Sequence, residues 1–242
     1  MTSRPVLSPV SSRTAALGES FAEAVRVLRD GGVILYPTDT IWGLGCDATD
    51  PAAVDRIFRI KARPEAKSLV LLASDLDMVA RYVKAIPEMA IDLVEVNDKP
   101  MTIIYPDAVV APTVIPSGAK ESISTASSPQ IPSPAAQVRN DTPRPDRHFL
   151  AGNAVAADGS VGIRIPLMDE LREAIRRFGR PIVSTSANVS GEPSPRVFAD
   201  IPESIRSAVD FVVDPSLESS STGLASQIIK LSLSGEFEII RM

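Results

Sequence analysis

From Glu19 onward, apolar positions recur at helical spacing. Phe21, Ala24, Val25 and Leu28 fall at i, i+3, i+4 and i+7. Gly31-Gly32 closes that helix. Val33–Tyr36 follows, a short apolar run ending at Pro37, which predicts a buried strand. Asp50 followed by Pro51 marks a helix start. Ala53, Val54, Ile57, Phe58 and Ile60 supply that helix's apolar stripe. Ser68–Ala73 reads as a strand, Asp75 caps a helix over about 76–85, and Met101–Tyr105 is another strand. After an interruption come a strand at Ser160–Ile165, a helix from Asp169 to Phe178 stopped by Gly179, and a strand at Pro181–Ser184. A helix near 202–208 and strands at Phe211–Val213, Gln227–Leu231 and Phe237–Ile240 complete the pattern. Helices alternating with short apolar strands define an α/β chain.

Two stretches carry no such pattern. Residues 1–17 are rich in Ser, Pro and Ala and read as a flexible N-terminal tail. Residues 111–150 hold seven prolines and six serines among 40 residues and read as a flexible insertion. The rest, 18–242, reads as one domain, and 44% hydrophobic residues suffice for its core.

Composition narrows the chemistry. The longest apolar runs fall far short of the roughly 20 residues that span a bilayer. No membrane partner is expected. The N-terminus shows no apolar signal segment, so a cytoplasmic protein is expected. The lone cysteine, Cys46, can form neither an internal disulfide nor a zinc cluster, and it reads as a small packed residue. The lone histidine, His148, sits in the Pro-rich insertion, where it does not suggest a catalytic triad. Net charge of −5 counts against nucleic-acid binding as the sole activity. Neither a Walker A loop nor G-x-G-x-x-G is present.

Polar clusters flank the strands at Thr38–Gly45, Lys61–Lys67 and Ser184–Gly191. In open α/β folds ligands collect where loops leave strand ends. Lys61, Arg63 and Lys67 place three cations within seven residues, a set suited to polyphosphate. A solvated helix end carries such cations too, and the pattern alone leaves both readings open. Ser186 and Asn188 offer a hydroxyl and an amide for phosphate, ribose or carboxylate, although turn chemistry uses the same residues. Trp42 reads as a pocket wall.

Together, Tyr36-Pro-Thr-Asp-Thr-Ile-Trp-Gly-Leu-Gly45, Lys61-Ala-Arg-Pro64 and Ser184-Thr-Ser-Ala-Asn-Val-Ser-Gly191 resemble the YrdC/Sua5 family. Gly162-Ile-Arg-Ile-Pro166 and Ser226-Gln-Ile-Ile229 extend the resemblance, which covers about 19–108 and 158–242. It implies a twisted open mixed sheet with helices around a large concave cavity. It also implies synthesis of threonylcarbamoyl-AMP and pyrophosphate from L-threonine, bicarbonate and ATP, for N6-threonylcarbamoyladenosine in transfer RNA. Such a reaction needs positioning and charge neutralisation rather than a protein nucleophile. Magnesium would come with the ATP.

Carried over by resemblance, Lys61, Arg63, Ser186 and Asn188 form the catalytic set. Arg63, Lys67, Ser160, Asn188, Arg196 and Arg241 face ATP, with Ser184 a further candidate there. Thr40, Leu72, Arg164, Ser186 and Ser226 hold threonine. Separate threonylcarbamoyl-transferase proteins would consume the product, with weak transfer-RNA contact possible in principle. Three departures stand out. Asn97-Asp-Lys-Pro100 replaces a Pro-Gly-Pro segment, the 111–150 insertion is atypical, and the chain stops at Met242 without the C-terminal extension of longer members. The insertion or the tail is then the candidate lid. The competing reading is an RNA-binding module of the same fold without adenylation. A hydrogenase-maturation domain fits poorly, because those proteins carry cysteine-rich zinc motifs.

Overall fold

The computed structural model describes residues 9–62, 69–111, 149–220 and 222–242. The predicted insertion, apart from its ends, and the first eight residues lie outside them. So do Arg63, Lys67 and His148.

Among the described residues nine strands form one sheet in the order β7-β1-β2-β6-β3-β5-β4-β8-β9. They are β1 (Ile34–Tyr36), β2 (Gly43–Gly45), β3 (Val70–Leu72), β4 (Met101–Tyr105), β5 (Val161–Arg164), β6 (Ile182–Ser186), β7 (Phe211–Val212), β8 (Gln227–Leu231) and β9 (Phe237–Arg241). β1/β7, β3/β5 and β4/β8 are parallel, and the other neighbours are antiparallel. The sheet is therefore mixed and open, as expected. Among the described residues no helix is long and apolar enough to cross a membrane.

Among the described residues six α-helices accompany it: α1 (Pro9–Arg29), α2 (Pro51–Ile60), α3 (Leu76–Tyr82), α4 (Glu88–Val96), α5 (Asp169–Phe178) and α6 (Glu203–Arg206). Their ends follow the predicted chemistry. The Asp50 carboxylate accepts the Ala52 and Ala53 N–H groups at the start of α2, and Asp75 accepts Met78 N–H at 2.8 Å in α3. Gly179 ends α5 in the left-handed conformation, φ 85°. α1 differs from expectation. It begins at Pro9, inside the segment read as a tail. A run containing Ala15 and Ala16 favours helix by backbone propensity without any apolar periodicity.

The ends of the insertion meet. Leu150 N–H donates to Val109 C=O at 2.8 Å, and Val110 bridges Leu150. An insertion whose ends are already paired adds loop-closure entropy only slowly with length.

β2 falls within the polar Thr38–Gly45 cluster, where no strand is predicted, and has glycine at both ends. Those glycines are what let the strand form. A Cβ at Gly43 would lie 2.9 Å from the Tyr36 ring, and one at Gly45 would lie 2.5 Å from Val183 C=O. Tyr36 is fully buried against them. Close backbone approach, not β-propensity, selects these residues.

Alternation along the strands separates two chemistries. Leu71, Val183, Ile163 and Ile103 are buried on one face, each within 2% exposure. On the other face, two registered rows cross the sheet. One reads Ser184, Val70, Gly162, Ile104 and Lys230. The next reads Ile182, Leu72, Arg164, Thr102, Ile228 and Arg241. Both rows contribute to the floor of a cavity.

Candidate active site

The cavity has a volume of about 350 Å³. Val70, Thr102, Ile104, Gly162, Arg164 and Ile228 supply its floor, and Ser184–Ser186 at the end of β6 supply one wall. Thr38, Thr40, Ile41, Trp42 and Gly43 line another side, with Ser160, Ser194, Ser226 and Arg241 around the rest. Among the described lining residues, nine carry hydroxyls and two carry charge, Arg164 and Arg241, both cationic. Such a surface accepts anions and polar ligands from several directions.

Arg164 is the central side chain. It is 4% exposed, and its Nη1 donates to Thr40 Oγ1 at 3.0 Å and pairs with Asp39 Oδ1 at 3.3 Å. Burial pulls the guanidinium pKa below the ordinary arginine value. Asp39 opposes that shift, and the like charge of Arg241 adds to it. An arginine stays protonated regardless. Both guanidiniums line the cavity, and an anion bound there would lower their mutual repulsion.

The loop carrying Thr40 is preorganised. The Thr38 hydroxyl donates to Ile41 C=O at 2.7 Å, Thr40 N–H donates to Thr38 Oγ1 at 3.0 Å, and the Thr38 and Thr40 hydroxyls lie 2.8 Å apart. Gly223 N–H binds Thr40 C=O at 2.8 Å and Thr222 N–H binds Asp39 C=O at 3.1 Å. Opposite, Thr102 and Ser226 share a buried hydroxyl contact of 2.8 Å. Arg241 donates to Ser226 C=O at 2.6 and 2.9 Å, which fixes the guanidinium at the rim. Burial lowers its pKa too.

Ser160 is held by Asp158, whose carboxylate accepts the Ser160 hydroxyl at 2.6 Å and its N–H at 3.0 Å. Lys230 adds an ion pair at 3.1 Å. These bonds, the Ser160 hydroxyl first, hold the Asp158 carboxyl down to about 2 from an ordinary 3.8. A depressed native pKa contributes stability that is present above the unfolded value and lost as pH falls toward 2. We expect an NMR titration of Asp158 with a midpoint near 2, rising toward 3.8 in Ser160→Ala; an unchanged midpoint in that variant would contradict the assignment.

Lys61 and Asn188 stand behind the wall rather than in it. Lys61 is 2% exposed. Its ammonium donates to Ser186 C=O, to Asn188 C=O at 2.7 Å and to Asn188 Oδ1 at 3.2 Å. Its own C=O accepts Ser190 N–H at 2.8 Å. The Ser186 hydroxyl also binds Asn188 Oδ1, and Asn188 Nδ2 donates to Val189 C=O and to Glu192 C=O at 2.6 Å. This network fastens the turn after β6 to the end of α2 and aims Ser186 at the cavity. Of the expected catalytic set Lys61, Arg63, Ser186 and Asn188, Ser186 lines the cavity, Lys61 and Asn188 bond to each other and to the Ser186 carbonyl, and Arg63 lies outside the described residues.

Other expected residues fall as follows. Thr40, Ser160, Arg164, Ser186, Ser226 and Arg241 line the cavity, as do Trp42 and Ser184. Leu72 does not. It shares a face with Val70 but lies one register step on, fully buried in the hydrophobic core. Arg196 is exposed and outside the lining, where Ser194 of the same loop takes the place. Cys46 is buried and packed, with its thiol pKa raised by burial. The sequence reading passed over Thr102 and Asp39. Thr102 was visible as the one polar residue inside the apolar strand Met101–Tyr105, and Asp39 as the carboxylate beside Thr40.

An open mixed sheet thus floors a hydroxyl-rich cavity whose described lining carries two guanidiniums, the architecture of an α/β protein with a polar cleft. The Sua5/YciO/YrdC family model, described as "Telomere recombination", matches residues 26–129 and 122–242, and this chain belongs to that family. Threonylcarbamoyl-AMP synthase of Stenotrophomonas maltophilia is 30% identical over 193 residues, covering 79% of this chain and 83% of that protein. The crystal structure of P. abyssi Sua5 complexed with L-threonine has a TM-score of 0.64 at 24% identity, over 88% of this chain. This chain spans 51% of that structure. E. coli YciO has a TM-score of 0.58 at 22% identity, over 93% of this chain and 89% of its own.

Proposed function

We propose that this chain is a threonylcarbamoyl-AMP synthase, a nucleotidyltransferase of the cytoplasm that serves N6-threonylcarbamoyladenosine formation in transfer RNA. The sequence relatives with that name support the reading over most of their length. L-threonine bound in a Sua5 structure of this fold agrees with it. The observation that carries it is Arg164, a buried guanidinium braced by Asp39 and Thr40 on the floor of a cavity whose far side holds Arg241.

The chemistry follows from these groups. Threonine's amine and bicarbonate lose water to give a carbamate. A carbamate oxygen attacks the α-phosphorus of ATP, and pyrophosphate leaves. Arg164 and Thr40 orient the amino-acid carboxylate through a planar fork and a hydroxyl. Ser226 and Thr102 present further hydroxyls beside it. Arg241, Ser160 and Ser186 face the nucleotide, joined by Arg63 and Lys67 on the strength of the family motif. Preorganised donors around developing phosphate charge and enforced proximity supply the acceleration. Magnesium is part of the ATP substrate, bound by phosphate oxygens. No protein nucleophile enters.

Purified protein with ATP, bicarbonate and magnesium should release pyrophosphate when L-threonine is added, and far less with L-serine. Release indifferent to threonine would overturn the reading. Salt-sensitive RNA binding without turnover would replace it with an RNA-binding module.

A further inference from the structure

The segment after β7 reaches the cavity loop through one carboxylate, Glu218, in the short 3₁₀ helix Pro215–Ser220. Its Oε2 accepts Trp42 Nε1–H at 2.7 Å and Phe198 N–H at 2.7 Å. Trp42 is fully buried, and its neighbours Ile41 and Gly43 also line the cavity. Its ring meets the Phe198 ring at 5.0 Å with a 49° tilt. Trp42 C=O also accepts Ala187 N–H at 3.1 Å, tying it to the turn that presents Ser186.

We infer that Glu218 is a positioning residue for the amino-acid side of the cavity, acting through Trp42. An indole N–H buried in a pocket wall needs an acceptor. Glu218 is that acceptor, and a charged acceptor gives the stronger bond. The same oxygen anchors the loop 189–198 at Phe198, so one carboxylate sets the spacing between two walls. Farther along the same segment, Thr222 and Gly223 grip the backbone of Asp39 and Thr40. Without Glu218 the indole loses this acceptor, and the wall that runs from Thr40 to Gly43 loses its tie to Phe198. Glu218 touches no substrate in this account, which rests on the threonine reading above.

Trp42 is the only tryptophan in the chain, so its fluorescence reports this contact directly. Glu218→Ala should red-shift Trp42 emission, raise acrylamide quenching at least twofold in the ligand-free protein, and raise KM for threonine about tenfold. KM for ATP should change less than threefold. Glu218→Gln keeps a carbonyl acceptor and should restore most of both properties. Unaltered emission and quenching in a folded Glu218→Ala would overturn the proposal. So would equal rises in both KM values, or a lower melting temperature with threonine KM unchanged. If Glu218→Ala does not fold, the Gln variant and Glu218→Asp, which shortens the reach, carry the same comparison. Absence of threonine-dependent pyrophosphate release in the unaltered protein counts against the synthase reading alone, because the fluorescence arm needs no turnover.

Discussion

Arg164→Lys is expected to fold, and to lose at least about a hundredfold in kcat/KM for threonine, roughly 2.7 kcal/mol of transition-state stabilisation. The reason is geometric rather than electrostatic. Lysine keeps a positive charge beside Asp39, so the buried carboxylate is not stranded. It loses the planar guanidinium that holds Thr40 Oγ1 and that, under the proposed function, also takes the substrate carboxylate. Arg164→Ala is the harsher change. It leaves Asp39 buried without its cation, a loss of about 3–5 kcal/mol of folding stability, so its inactivity would say little about catalysis. The lysine variant separates the two effects. A melting temperature near the parent's with a collapsed threonine response supports the assignment. Retained kcat/KM would remove Arg164 from the substrate site.

The second large effect concerns Lys61. Lys61→Met keeps the length and the apolar stem but removes the ammonium. Ser186 C=O and Asn188 C=O then lose a charged donor in a buried turn. Hydrogen bonds to charged groups contribute about 1.5–3 kcal/mol each, and buried unmet acceptors carry a desolvation cost. We expect about 3 kcal/mol of lost stability, or roughly 6–12 °C in melting temperature for a chain of this size. Activity should fall at least about a hundredfold, because Ser186 is no longer aimed. A residue whose only task is to touch phosphate would cost activity and leave the melt unchanged. The paired calorimetric and pyrophosphate measurements decide between these two roles.

The limits of sequence reading are visible in that same lysine. A K-x-R motif tells which residues matter and is silent about which way the ammonium points. Lys61 ends α2, and Ala62 follows with φ 47° in the left-handed region. The Lys61 ammonium folds back to the β6 turn. Nothing in local spacing encodes it, because the partner turn lies 125 residues away. Elements whose signal is local were legible. β4, β8 and α5 agree with their predicted residues, since alternation, capping and glycine stops are nearest-neighbour effects. β2 was not, because its glycines answer to the Tyr36 ring across the hairpin. α4 was missed for a different reason. It starts after Pro87 without a side-chain cap, and Ala90 is its only fully buried residue.

The site divides the same way. Arg164 and Thr102 stand out as polar residues inside apolar strands, and alternation places both on the cavity face. Leu72 obeys the same alternation yet misses the wall, because face is encoded by parity while depth depends on the loops above. Glu218 carried no signal at all. Its value comes from meeting Trp42, 176 residues earlier in the chain.

The product itself decides whether this chain makes threonylcarbamoyl-AMP. The protein should be incubated with ATP, magnesium, L-threonine and ¹³C-bicarbonate, and the quenched mixture resolved by mass spectrometry. The expected product is an adenylate containing one threonine and one labelled carbon, formed in step with pyrophosphate and lost with Arg164→Lys. Pyrophosphate accompanied only by AMP, or an adenylate without the label, would contradict it.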